Sequence, residues 1–391
     1  MLKTIIKKLV PVALLSKAYA HYNKLRINTI DKIVFPEKRF DEQDFFIKRD
    51  AYPFQITSVP KDHLDTRLQY QVNEYENWTQ DEYLLVYKDE CLIDPKYGWA
   101  LAADRKLIYP SLGFSRVYYL QKPSLRMRHL LPETLPAHDV LVSLRDTGEE
   151  NYYHFYNDIL AKLFFLEEQL QLPYEVPLLI AETLYNRPYF QYFLQHPYLK
   201  NRNWVVQKPG EYIRSRKTYF CKPLTHTASY YARIRELVPV QDLVPVGSAN
   251  RRIFITRSPK RGRYIENAAE IEAICRAEGF EVIDFDVMTL AQQIKLMREA
   301  RYVVGIHGAG LVNMLFHGTQ PMGLMELLPP GEFYPFHYML MAAQLGYQYD
   351  GMIGEVAKSK YVNGFYINPV SFQKHMMDWL SLASARIKVQ A

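Results

Sequence analysis

From residue 138 onward, short apolar runs alternate with longer amphipathic stretches, and this alternation leaves few folds open. HDVLVSL (138–144), VPLLIA (176–181), NWVVQ (203–207) and TYFCKP (218–223) read as strands; YYHFYNDILAKLFFLEEQL (152–170), RPYFQYFLQHPYL (187–199) and YYARIRELV (230–238) read as helices. After a Pro- and Gly-bearing stretch at 238–250 the pattern resumes. RIFITR, EVIDFD, YVVGIH and GLMELLP are its strands; NAAEIEAICRAEG, TLAQQIKLMREA, a segment from about Gly310 and FHYMLMAAQLG are its helices. Strands and helices in turn predict parallel βαβ units with right-handed crossovers. The fold class expected is therefore α/β, with two Rossmann-type doubly wound domains facing a cleft.

The length of 391 residues agrees with two domains. The expected boundaries are 1–245, 246–368 and a last helical stretch at 369–391 able to pack back on the first domain. Residues 1–135 carry strand-like runs at 83–93 and 115–121 but no motif. Within them 1–20, with Lys3, Lys7 and Lys8 scattered among apolar residues, reads as an amphipathic membrane-surface helix. No apolar run reaches the roughly 18 residues of a membrane span. Three widely spaced cysteines argue against a disulfide framework or a zinc site, so the expected location is cytoplasmic, peripheral at the inner face of the membrane.

The net charge of +6 is too mild for a nucleic-acid partner unless it is concentrated. Arg251, Arg252, Arg257, Lys260, Arg261 and Arg263 fall together without an acid, which reads as a local clamp for phosphate oxygens.

The run VVGIHGAGLVNMLF at 303–316 is the strongest local signal. A β-branched strand enters His307-Gly308-Ala309-Gly310, and a helical start follows. Small residues let a ligand approach the backbone, and a helix N-terminus offers unpaired N–H groups to an anion such as a diphosphate. The dinucleotide fingerprint would need a third glycine where Asn313 stands, so an NAD-dependent oxidoreductase is kept only as an alternative.

HGAGLVNMLF resembles the HGAGLTN-x-x-F signature of glycosyltransferase family 61. Three further segments resemble that family in order: NYYHFYNDILAKL, RRIFITRSPKRGRYIENAAEIE and MTLAQQIKLMREAR. The resemblance spans roughly 140–330. It departs from the pattern at Val312, where Thr is usual, at Phe155, where Trp is usual, and at Ala161-Lys162, where Pro-Arg is usual. The resemblance implies a GT-B-like fold and inverting transfer of a sugar from a nucleotide-sugar donor, expected to be a UDP-sugar. The acceptor is expected to be a glycan or lipid-linked saccharide of capsule or surface polysaccharide biosynthesis. A non-catalytic nucleotide- or glycan-binding protein on the same fold is the alternative from another class.

Transfer needs a base for the acceptor hydroxyl and positive charge for the departing diphosphate. Arg257, Arg261, Arg263, His307, Gly308, Ala309, Gly310 and Asn313 are the expected donor-side residues. The resemblance adds Glu326 as a ligand of ribose hydroxyls, where spacing alone favours a structural acid. Asn151, His154 and Asp158 share one helix face, which makes His154 the expected base with Asp158 beside it, and the reverse assignment stays open. Asn151, Tyr152 and Tyr156 are expected to contact the acceptor. Asp284-Phe285-Asp286 is a D-x-D run that offers a metal site as the alternative to the metal-independent chemistry expected.

Overall fold

The computed structural model describes residues 21–390 apart from 52–55, 57–58, 60, 77, 115–116, 131, 240–241, 243–248, 332–333 and 358–363. The amphipathic-helix reading of 1–20 and most of the interblock stretch lie outside the described residues.

The N-terminal block is built on a six-stranded sheet of β1 (Phe45–Ala51), β2 (Gln80–Tyr87), β3 (Leu141–Ser143), β4 (Leu178–Ala181), β5 (Trp204–Gln207) and β6 (Thr218–Lys222), ordered β1-β2-β6-β3-β4-β5. β6, β3, β4 and β5 run parallel, as the alternation predicts, while β2 pairs antiparallel with β6 and β1 antiparallel with β2. Side chains alternate across it with the two-residue period of a strand. Leu84, Val142, Leu178 and Ile180 face one core; Leu85, Leu141, Leu179 and Phe220 face another.

On the first face lie the helix α1 (152–170) and α2 (Ala228–Glu236). On the second face there is a five-stranded sheet, Leu107–Ile108, Ala100–Ala102, Cys91–Ile93, Ile213–Ser215 and Ala137–His138, where a doubly wound domain would have helices. The N-terminal block therefore departs from the Rossmann expectation, because residues 21–135 supply most of a covering sheet and two antiparallel strands. Two smaller differences have local causes. Residues 187–199 split into Pro188–Phe193 and Pro197–Lys200, since Pro197 lacks the N–H that would continue a helix and starts a new one. Val117–Tyr119 is a 3₁₀ turn where a strand is expected.

The C-terminal block holds the regular doubly wound part. β7 (Arg251–Thr256), β8 (Glu281–Asp284), β9 (Ala300–Ile306), β10 (Gly323–Leu328) and β11 (Gln348–Ile353) form an all-parallel sheet ordered β8-β7-β9-β10-β11. The helices α3 (Ala268–Ala277), α4 (Leu290–Glu299), α5 (His337–Leu345) and α6 (Pro369–Gln390) cover its faces. A 3₁₀ helix, Ala309–Phe316, follows β9. α4 carries a capping box in which Thr289 and Gln292 satisfy each other's amides. The order reverses between β7 and β9, and the crevice beyond their carboxyl ends is where open α/β sheets bind ligands.

The last helix packs on the C-terminal sheet. Phe372, Met376, Trp379 and Leu380 share a core with Phe254, Tyr302, Val304 and Met325 of the C-terminal sheet. The other face of that sheet contributes Ile253, Val303 and Leu324 to a core that continues into α1. Tyr156 of α1 meets Phe316 edge to face at 5.7 Å, so the two blocks are joined by buried aromatic packing.

Candidate functional site

Two cavities open along the seam between the blocks. The larger, about 800 Å³, lies at the switch point. Arg257 leaves the end of β7, and Gly308, Ala309 and Gly310 leave the end of β9, so the topology alone brings them together. Arg257 Nη1 donates to the His307 carbonyl at 3.0 Å. A β-carbon on Gly308 would sit 2.1 Å from that nitrogen. The glycine thus admits the guanidinium to the turn, a reason different from ligand approach. Arg263 follows Gly262 in the next loop with a left-handed φ of 43°, a conformation that costs a non-glycine residue of order 1–3 kcal/mol. The adjoining Tyr264–Ile265 pairs with Gly364–Tyr366, which ties this loop to the block. The side chain of Arg261 lies outside the description.

Arg251 and Arg252 do not join the clamp. They start β7, about 20 Å of strand away from Arg257 at roughly 3.3 Å per residue. Arg251 is paired with Glu281 and Glu299, and Arg252 donates to the Glu278 carbonyl. Only part of the basic cluster therefore serves the switch point.

Three other expected donor residues are buried and line neither cavity. Glu326 stands mid-strand in β10, fully buried, accepting from His307 Nδ1 through a short hydrogen bond and from the Tyr349 hydroxyl at 2.7 Å. It holds His307 in place. His307 itself is nearly buried against Tyr338. Asn313 is also fully buried; its Oδ1 accepts from the Tyr152 hydroxyl at 2.5 Å and its Nδ2 donates to Gln293 at 2.8 Å. It is a structural amide that fastens α1 to the C-terminal block. Tyr152 consequently lines the switch-point cavity and not an acceptor pocket.

The smaller cavity, about 350 Å³, contains His154 and Asp158. α1 begins as Tyr152–His154, passes through a π-helical stretch, Phe155–Leu160, and continues as Ala161–Leu170. Such stretches recur at functional sites. Here His154 Nδ1 meets Asp158 Oδ2 at 2.5 Å, and Asn157 Nδ2 donates to the other carboxylate oxygen at 3.0 Å. Burial works against the charge of His154, but the charge and hydrogen bond of Asp158 outweigh it and raise the imidazole above 6.5. Burial likewise raises Asp158, and the same partner outweighs it and brings the carboxyl below 3.8. The two shifts agree on a mutually stabilised pair.

Asn151 caps α1 by accepting from the Tyr153 amide at 2.9 Å, and Tyr156 is fully buried against Phe155, Phe193 and Phe316. Tyr156 is therefore no acceptor contact, and Asn151 is engaged at the helix start. Lys162, at the departure from the Pro-Arg pattern, is buried and paired with Asp146 at 2.8 Å while donating to the Arg145 carbonyl. It holds the 144–150 loop under this cavity.

Sequence reasoning missed two histidines. His226, in the loop after β6, meets the Tyr153 hydroxyl at 2.7 Å, and burial pushes its imidazole down to about 3. His337 opens α5 with its ring 4.6 Å from Tyr153, and burial together with the charges of His154 and His307 pushes it down to about 4. The next residue, Tyr338, packs on His307. Residues 337–338 therefore connect the two cavities. No spacing pattern marks them, since only tertiary packing brings them to α1.

Asp284 and Asp286 line the larger cavity, with the Asp284 carboxylate accepting from the Asp286 amide at 2.9 Å. Among the described residues no group of three or more His, Cys, Asp or Glu side chains is arranged to hold a metal ion.

The seam between the blocks thus carries a crevice at the switch point of the parallel sheet and a second cavity that holds the His154–Asp158 pair. Residues 152–325 match the family model described as Glycosyltransferase 61, so this part of the chain is similar to that family. No curated protein matches the chain.

Proposed function

We propose that the protein is an inverting, GT-B-like glycosyltransferase that moves a sugar from a nucleotide-sugar, a UDP-sugar, to a saccharide acceptor in surface polysaccharide biosynthesis. The observation that carries this reading is the pairing of the two cavities: Arg257 at a glycine turn in one, and His154 with Asp158 in the other. In the reading, the C-terminal block holds the donor and the N-terminal block the acceptor. Arg257, Arg263 and the first amides after Gly308 take up the charge of the departing diphosphate. His154 Nδ1–H donates to Asp158, which leaves Nε2 as the proton acceptor. The acceptor oxygen forms its bond to the anomeric carbon as the carbon–phosphate-oxygen bond breaks. The proton goes to Nε2, the electron pair leaves with the diphosphate, and one displacement inverts the centre.

Guanidinium charge makes the transfer metal-independent in this proposal. A thermal-shift screen of UDP-, GDP-, CMP- and dTDP-sugars, with and without chelator, tests donor and metal together. A UDP-sugar at about 100 times its dissociation constant should stabilise by roughly 2.7 kcal/mol, equally with chelator. If no nucleotide-sugar moves the melting curve, the proposal fails; a shift abolished by chelator moves the chemistry to Asp284 and Asp286.

The His154–Asp158 pair sets opposite pH trends for activity and stability. The base must be neutral, so transfer should rise with pH through the raised imidazole value, on the alkaline side of 6.5. The stability that His154 contributes is complete below its unfolded value near 6.5 and is lost as pH rises through the folded value. Asp158, held below 3.8, contributes above that value and loses its share as pH falls through the folded value. Rate profiles and melting curves of the wild type and His154→Asn across pH 5 to 9 check both, and a rate flat across this range would remove His154 as the base.

Location is part of the same proposal: cytoplasmic, at the inner face of the membrane. Among the described residues no helix is long and apolar enough to cross a bilayer.

A further inference from the structure

Apolar side chains exposed on a folded protein are normally scattered, and a cluster of them marks a surface with a partner. Fifteen large hydrophobic side chains are exposed among the described residues, and seven of them lie in two short segments. Helix 21–34 presents Tyr22, Leu25, Ile30 and Ile33, the last 72% exposed; residues 117–130 present Tyr118, Tyr119 and Leu125, with Tyr119 at 67%.

The segments lie side by side. Arg26 donates to the Tyr119 carbonyl at 3.4 Å, Arg128 donates to the Val34 carbonyl, and the Lys122 ammonium is buried beneath, donating to the carbonyls of Val117 and Tyr118. The patch is therefore the exposed apolar surface of two adjoining segments.

Charge selects the partner. Lys24, Lys32 and Arg126 are exposed on these segments, whereas their one acid, Asp31, is buried and paired with Arg26 at 3.3 Å. The twenty residues that lead into the helix add Lys3, Lys7, Lys8 and Lys17 and contain no Asp or Glu. Tyrosines and aliphatic side chains among lysines fit the boundary of an anionic bilayer, which attracts basic residues near its surface.

One residue of the smaller cavity's wall stands close in sequence to the patch. Phe114, part of that cavity's wall and 39% exposed, lies three residues before the 3₁₀ turn Val117–Tyr119. We propose that this face docks the protein on an anionic bilayer with the His154–Asp158 cavity opening toward the lipid. The acceptor is then a saccharide carried on a lipid of that bilayer, a consequence that rests on the proposed transfer reaction.

Cosedimentation of the full chain with phosphatidylcholine vesicles, with and without phosphatidylglycerol, tests the docking. The chain should bind the anionic vesicles, and the triple variant Leu25→Glu, Ile33→Glu, Tyr119→Glu should bind at least about tenfold less with its melting temperature unchanged, because these groups already face water. Cys91, Cys221 and Cys275 are buried, so a polarity-sensitive thiol dye can be placed on Phe114→Cys alone. Its emission should shift to the blue on anionic vesicles.

Equal vesicle binding by the triple variant, or no binding by the wild type, overturns the docking. So does a change from dimer to monomer with vesicle binding intact, which would give the patch to a second copy of the chain. Binding without a dye shift overturns the lipid-borne acceptor. None of these outcomes touches nucleotide-sugar binding, which is scored separately by thermal shift.

Discussion

His154→Ala lowers the turnover number by about 10²–10⁴-fold and leaves donor affinity unchanged. The expectation follows from where the side chain stands. His154 lies in the cavity opposite the glycine turn, so its removal takes away the proton acceptor without touching Arg257 or the turn. Asp158→Asn should cost nearly as much, since an amide can donate to Nδ1 and turn the imidazole to the wrong tautomer. Steady-state kinetics combined with nucleoside diphosphate titration separates the outcomes. A loss confined to kcat supports the base; weaker donor binding in parallel means that the pair only holds the seam together. If wild type and variant bind donor equally and neither turns over, the chain is the non-catalytic binding protein that the sequence left as an alternative.

The second large effect concerns the other cavity. Arg257→Ala should weaken nucleoside diphosphate binding by roughly 10- to 150-fold, the equivalent of one charged hydrogen bond of about 1.5–3 kcal/mol. Gly308→Ala should reproduce much of that loss with Arg257 still present. The added methyl would stand 2.1 Å from Nη1, so the guanidinium must leave the His307 carbonyl. Calorimetric titration of both variants with UDP tests the coupling. Wild-type affinity in Gly308→Ala would show that the arginine does not need its place at the turn, and wild-type affinity in Arg257→Ala would remove it from the donor site.

Four of the five strands of the C-terminal sheet were legible because the segments between Arg251 and Leu328 carry their own period and stop signals, whereas β11 (Gln348–Ile353) was not. The glycine turn and Arg257 were legible for a related reason: both terminate strands, and sheet topology brings strand ends together. Side-chain direction was harder. The two-residue period of β10 puts Glu326 on the same face as the buried Leu324 and Leu328, a cue outweighed by the family's expectation of a ribose contact. Tyr156 and Asn313 failed similarly, as residues in the right motif that face a core. The sheet covering the N-terminal block was not legible, since Cys91–Ile93 pairs with Ile213–Ser215 across more than a hundred residues and its strands are too short to show a period. His226 and His337 share that cause.

The sheet shared between sequence-distant segments separates inheritance from mechanics. The segment that carries the family likeness, 152–325, contains neither the β1–β2 edge of the first sheet nor β11 and α6 of the second. What the family model matches is thus smaller than what folds. A chimera that exchanges the N-terminal block must be cut at packing boundaries, carrying residues 21–135 with the block they cover, and not at the limits of recognisable sequence.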